Sequence, residues 1–71
     1  MKYFNWLFVG CGGIAYTIGK NLKGSNNNIY AVYGRKKEKS EAFAKKFSCK
    51  SYVDLDLALK DEGVQGVYIC T

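Results

Sequence analysis

Apolar positions change their spacing several times along the chain, and each change marks an element. Tyr3 to Val9 is a continuous apolar and aromatic run closed by Gly10, which predicts a buried strand. From Gly13 to Lys23 the spacing becomes helical, with Ile14, Ile18 and Leu22 recurring every fourth residue on one predicted inward face. Gly24 stands where a left-handed C-terminal cap belongs, and Ser25 to Asn28 is a short polar turn.

A second strand is predicted over Ile29 to Tyr33, closed by Gly34, and a second helix over Lys36 to Phe47. In that helix Phe43 and Phe47 share a face, and Glu41 precedes Lys45 by four residues in the favourable order. Lys50 to Val53 reads as a brief third strand. Asp54 is placed to cap a third helix whose Leu55, Ala58 and Leu59 face inward. Val64 to Cys70 reads as a fourth strand, apolar on both faces except near Gln65.

The order β-α-β-α-β-α-β argues for an α/β unit. With right-handed crossovers it winds into part of a doubly wound, Rossmann-type parallel sheet with strand order 3-2-1-4 and helices on both faces.

Length and composition narrow the setting. The 71 residues suffice for one small domain, 48% of them are apolar, and the absence of proline or repeats leaves no linker. Domains this small bury only about 60% of their unfolded surface, so stability is expected to be marginal. No run is long enough to span a membrane, and no signal-peptide pattern follows Met1, whose setting reads as a native start. Cys11, Cys49 and Cys70, with no C-x-x-C spacing and no histidine, read as three reduced thiols of a cytoplasmic protein rather than a zinc or disulfide framework.

The net charge of +5 is uneven. Residues 1–37 hold six basic side chains and no acid, while all six acids lie between Glu38 and Glu62, which suggests an anionic partner for the first half.

Two segments give that anion a shape. Gly10-Cys11-Gly12-Gly13-Ile14-Ala15 matches G-x-G-x-x-A between a predicted strand and a predicted helix. Gly10 permits the tight turn, Gly12 lets a pyrophosphate approach the backbone, and Ala15 allows close helix–strand packing. The free N–H groups and dipole at the helix start would hold the phosphates. Cys11 occupies the variable position of the motif and is no candidate for catalysis.

At the end of the second strand, where an NAD-specific site places an acid, this chain has Gly34-Arg35-Lys36-Lys37. A carboxylate would repel a 2′-phosphate, whereas Arg35 with a neighbouring lysine would bind one. A charge-assisted hydrogen bond of roughly 1.5–3 kcal/mol gives a preference of about tenfold or more. NADP(H) is therefore the expected cofactor, with NAD(H) second. The lysines Lys36, Lys37 and Lys39 fit equally well as the solvated start of a helix.

Basic residues among 15% aromatics raise a single-stranded nucleic acid as an alternative. Tyr3, Phe4, Trp6, Phe8, Tyr30, Tyr33 and Tyr68 instead fall on predicted strands as core, and no aromatic nucleic-acid motif is present. Neither a nucleic acid nor a membrane is an expected partner.

With these elements placed, the chain resembles the glucose-fructose oxidoreductase / inositol dehydrogenase / MocA family. The segments that carry the resemblance are Trp6 to Ala15 (WLFVGCGGIA), Ala31 to Ala44 (AVYGRKKEKSEAFA) and Tyr52 to Thr71 (YVDLDLALKDEGVQGVYICT). It implies an NAD(P)-dependent oxidoreductase acting on sugars, cyclitols, dihydrodiols or related hydroxy compounds. By position, Gly10, Gly12, Gly13 and Ile14 would meet the pyrophosphate and Arg35 the adenosine end. Cys70 and Thr71 would lie beside the cofactor.

Four residues depart from the family's pattern: Leu7 where glycine is common, Lys36 in place of an acidic helix cap, Glu62 in place of a proline and Gln65 in place of an aspartate. Family members also continue beyond this threonine into a Pro-Asn segment, a Glu-Lys-Pro segment whose lysine assists proton transfer, and a substrate domain. No residue here has both the chemistry and the position of a general acid or base.

The expectation is thus the N-terminal, cofactor-binding part of such an enzyme, inactive alone, meeting a small-molecule substrate only in a full-length protein. Its fourth strand would be an exposed apolar edge. A free-standing NADP(H) sensor or regulatory module is the alternative, and it would need oligomerisation to cover that edge. A methyltransferase using S-adenosylmethionine would want an acid after the second strand, which the basic stretch opposes.

Overall fold

The computed structural model describes residues 3–22 and 25–70. Lys23 and Gly24, the expected end and cap of the first helix, lie outside the described residues, as does Thr71. The elements alternate as expected: β1 (Phe4–Val9), α1 (Gly13–Leu22), β2 (Asn27–Tyr33), α2 (Lys37–Phe47), β3 (Lys50–Tyr52), α3 (Leu55–Leu59) and β4 (Gly66–Ile69). All paired strands run parallel, in the order β3-β2-β1-β4. This is the predicted Rossmann-type half-sheet, with β1 at its centre.

The pleat sends alternate residues of β1 to opposite faces. Phe8 joins Ala15, Ile29, Val32, Phe43, Ala44 and Cys70 in the core beneath α1 and α2. Leu7 joins Ala31 and Ala58 in a smaller core beneath α3, with Val9, Tyr30, Tyr33, Tyr52 and Val64 against it. Leu7 is fully buried there. Phe43 anchors the larger core, its ring centroid 5.9 Å from Phe8, 5.0 Å from Tyr16 and 4.6 Å from Phe47.

Alternation breaks once. Trp6 pairs with Ile29 but Leu7 pairs with Ala31, so Tyr30 is an extra residue in β2. This bulge turns Tyr30 to the same face as Ala31.

The inward face of α1 differs from the expected one. Its buried residues are Ala15 and Gly19, with Ile18 and Leu22 half-buried, whereas Ile14 is 61% exposed. Small residues mark the contact because α1 lies close to its neighbours: a Cβ on Gly19 would stand 2.7 Å from the Phe47 ring and 3.0 Å from Ile29 Cδ1. Ile14 sits in the first turn.

Three further expectations are corrected. Glu41 pairs with Lys37, at 3.8 Å, rather than with Lys45. Asp54 caps α3, accepting from the Asp56 N–H at 2.9 Å and the Leu57 N–H at 3.4 Å, but the helix has five residues and buries only Ala58, leaving Leu59 52% exposed. Of the strand aromatics only Phe8 is fully buried, while Tyr3, Phe4 and Tyr68 are exposed. β4 is an edge, with β1 as its neighbour and Ile69 68% exposed. Gln65 ties its entry to β1, exchanging bonds with the Asn5 backbone at 2.9 Å through both its side chain and its N–H.

Candidate dinucleotide site

Parallel strands all end on one side, so the loops leaving β1 and β2 and the end of β4 at Cys70 gather at a shared carboxyl edge. The ladder continues just beyond the strands: the Gly10 N–H donates to the Tyr33 carbonyl at 2.8 Å, the Cys70 N–H to the Val9 carbonyl at 2.8 Å, and the Gly34 N–H to the Tyr52 carbonyl at 3.3 Å. These bonds bring together Gly10, Gly34 and Cys70, three of the residues singled out from sequence.

Gly10 has φ 107°, which L side chains rarely adopt, and a Cβ there would lie 2.8 Å from the Cys70 carbonyl oxygen. Conformation and space both require glycine. The chain then turns through Cys11 to Gly12, whose carbonyl accepts the first bond of α1, from the Tyr16 N–H at 3.2 Å. The N–H groups of Gly13, Ile14 and Ala15 precede that bond and have no acceptor among the described residues. Gly12 and Gly13 are exposed, and a Cβ on either would meet nothing within 4 Å. The result is an open shelf of backbone donors at a helix N-terminus, which suits a phosphate group. Ala15 is fully buried under it.

Across the edge, Gly34 is buried while Arg35 and Lys36 are exposed. Lys36 is the N-cap of α2 in extended conformation (φ −100°, ψ 116°), and its side chain makes no capping bond. Its carbonyl accepts from the Lys39 and Ser40 N–H groups, both at 3.1 Å. Neither Arg35 nor Lys36 has an ion-pair partner among the described residues, where the pairs are Lys37–Glu41 and Lys50–Asp61. Cys70 is buried, and that burial pushes its thiol above the ordinary range. Cys49, away from this edge, is pushed up to about 11 for the same reason.

Two features were not read from sequence. Ser40 is fully buried behind Gly34, its hydroxyl donating to the Lys37 carbonyl at 3.0 Å. The second is a polar cluster built on the loop after α3. Asp61 accepts from the Tyr52 hydroxyl, from the Tyr30 hydroxyl and the Gly63 N–H at 2.9 Å, and from Lys50 Nζ at 3.3 Å. The Tyr52 hydroxyl, then the Gly63 N–H, hold the Asp61 carboxyl well below the usual carboxylate range. Hydrogen bonds to Tyr30 and Asp61 hold the Lys50 ammonium above its usual range. The bulge at Tyr30 was the missing signal, since sequence spacing gave no reason to turn that hydroxyl toward Asp61.

A concavity of about 910 Å³ lies between the C-terminal ends of α1 and α2, lined by Gly19, Asn27 and Phe47 among others. It shares no residue with the carboxyl edge, where the donors are.

The chain matches the model of the Gfo/Idh/MocA oxidoreductase family, NAD-binding Rossmann fold, over residues 4–71. It belongs to that family. No curated protein matches the sequence. Among solved structures, a protein of Desulfitobacterium hafniense described as an NADPH-dependent oxidoreductase superposes with TM-score 0.93 at 24% identity, over 100% of this chain and 21% of its own. The 3-ketoreductase of Actinomadura kijaniata, in complex with NADP, gives TM-score 0.89 at 18% identity, over 99% and 23%. The myo-inositol dehydrogenase of Lactobacillus casei, in complex with NAD(H) and myo-inositol, gives TM-score 0.87 at 21% identity, over 100% and 22%. At these identities the likeness shows the fold. The chain spans about a fifth of the length of these family neighbours. No helix among the described residues is long and apolar enough to cross a membrane.

Proposed function

We propose that the carboxyl edge binds a nicotinamide dinucleotide, NADP(H) in preference to NAD(H), as the cofactor-binding part of an oxidoreductase. The observation that carries this reading is the pairing of an open glycine turn, with unpartnered donors at Gly13–Ala15, and an adjacent strand end that offers Arg35 and Lys36 and no acid. Gly10 shapes the turn and with Gly12, Gly13 and Ile14 meets the pyrophosphate, Cys11 and Ala15 pack the turn and the helix start beneath it, Gly34 to Lys36 take the adenosine end, and Cys70 lies beside the cofactor. Gly12 and Gly13 have the free space such a group needs. When bound, the cofactor supplies or accepts hydride. This chain's residues bind and orient it, and no side chain among them is assigned as acid or base.

The family neighbours named above are described with NADPH, NADP and NAD(H), which supports a dinucleotide and leaves the preference to Arg35 and Lys36. Their chemistry, a 3-ketoreductase and an inositol dehydrogenase, supports a substrate class of sugars and cyclitols. Calorimetric titration of the chain with NADPH and NADH tests the reading. Saturable binding, about tenfold tighter for NADPH, is expected from one charge-assisted contact to the 2′-phosphate. Tighter binding of NADH would overturn the cofactor preference, and no binding of either would overturn the site.

A further inference from the structure

Gly34 is buried, yet it is not among the residues with positive φ, so its lack of a side chain answers to space rather than to conformation. A Cβ there would stand 2.9 Å from Cys11 Sγ and 3.1 Å from Ser40 Cβ. The Gly34 backbone is thus clasped between a side chain of the glycine turn and a fully buried residue of α2. Ser40 is in turn tied to the first turn of its helix through its bond to the Lys37 carbonyl. Cys11 directly precedes Gly12, and Gly34 directly precedes Arg35. The stack Cys11–Gly34–Ser40 is therefore where the phosphate shelf and the basic strand end touch.

Close-packed interiors transmit a change of even one methylene to their neighbours. A bulkier side chain at position 11 must push the glycine turn away from Gly34, and with it from Arg35. A charge-assisted bond to phosphate tolerates little of this, because it needs about 2.7–2.9 Å between nitrogen and oxygen. The adenosine and pyrophosphate common to both cofactors span the stack as well, but only NADP(H) adds a short charge-assisted contact that is lost over a small displacement.

We propose that Cys11 is a positioning residue for cofactor preference: its volume against Gly34 sets the distance between the pyrophosphate shelf and Arg35, and so the discrimination of NADP(H) from NAD(H). This rests on the carboxyl edge being a dinucleotide site. Cys11 needs no contact with the 2′-phosphate and no reactive thiol for this role.

The test is calorimetric titration of the 71-residue chain and its variants with NADPH and with NADH, reading the ratio of the two dissociation constants. Cys11→Ser, close to cysteine in volume, is expected to keep the ratio within about twofold, whereas Cys11→Leu lowers it by about fivefold or more, NADPH losing more affinity than NADH. Cys11→Val gives the same direction more gently, should the leucine variant not fold. Gly34→Ala is expected to weaken NADPH, and Cys11→Ala added to it to restore much of the loss by removing the 2.9 Å conflict.

A ratio unmoved by bulk at position 11, or strictly additive effects in the double variant, would overturn the proposal while leaving the binding site standing. Failure of the unaltered chain to bind either dinucleotide would overturn the site itself, and the proposal with it.

Discussion

On the α3 side of the sheet, Asp61 gathers the hydroxyls of Tyr30 and Tyr52, the Lys50 ammonium and the Gly63 N–H, so that donors and acceptor satisfy one another. At the carboxyl edge the N–H groups of Gly13, Ile14 and Ala15 find no acceptor among the described residues, and Arg35 and Lys36 have no carboxylate. Both regions are rich in polar groups. The first closes on itself and holds a loop in place, whereas the second leaves its donors for something outside the chain. Unspent donors converging from two strand ends, rather than charge alone, mark the binding surface.

The largest effect is expected from Gly10→Ala. A side chain at φ 107° costs about 1–3 kcal/mol before its conflict with the Cys70 carbonyl is counted. In so small a domain that should lower the urea midpoint drastically or abolish the cooperative transition.

Asp61→Asn strikes the closed cluster and should lower the midpoint less while leaving dinucleotide affinity alone. It should also flatten the acid limb of stability. The folded carboxyl lies below its unfolded value, so its contribution is complete above roughly pH 5 and is lost as pH falls through ~3.9 toward the folded value. Urea midpoints across the acid range would show this slope in the unaltered chain and a shallower one in the variant. An unchanged slope would mean that Asp61 is not the group responsible.

Arg35→Gln should cost NADPH about tenfold, roughly 1.4 kcal/mol, and NADH little. Lys36→Asp sharpens the contrast further. The extended backbone of Lys36 suits a capping side chain, so aspartate should stabilise α2 by about 0.5–1 kcal/mol while turning preference toward NADH. Stability and NADPH affinity would move in opposite directions. If both fell, the present lysine would be contributing to the fold and not only to a ligand.

Much of this was legible in the sequence, for identifiable reasons. Strand order, the turn at Gly10 and the cap at Asp54 follow from residue types with few alternatives. Periodicity misplaced the contact face of α1, because it weighs large apolar residues such as Ile14, whereas the close approach of the helix to the sheet and to the Phe47 ring is made by Ala15 and Gly19. The extra residue at Tyr30 left no trace in the pattern of β2, so the Asp61 cluster could not be foreseen. Of the site, the glycine turn and Arg35 could be named from sequence, but the contact of Cys11 with Gly34 joins two segments over twenty residues apart and needed the fold.

The most direct test is a titration of the isotope-labelled chain with NADPH, followed by the backbone amide resonances of both regions. Large, saturable shifts are expected at Gly12–Ala15 and Gly34–Lys36, with Tyr30, Lys50, Asp61 and Gly63 nearly still. Shifts centred on the Asp61 cluster, or on the cavity between the ends of α1 and α2, would contradict a site at the carboxyl edge.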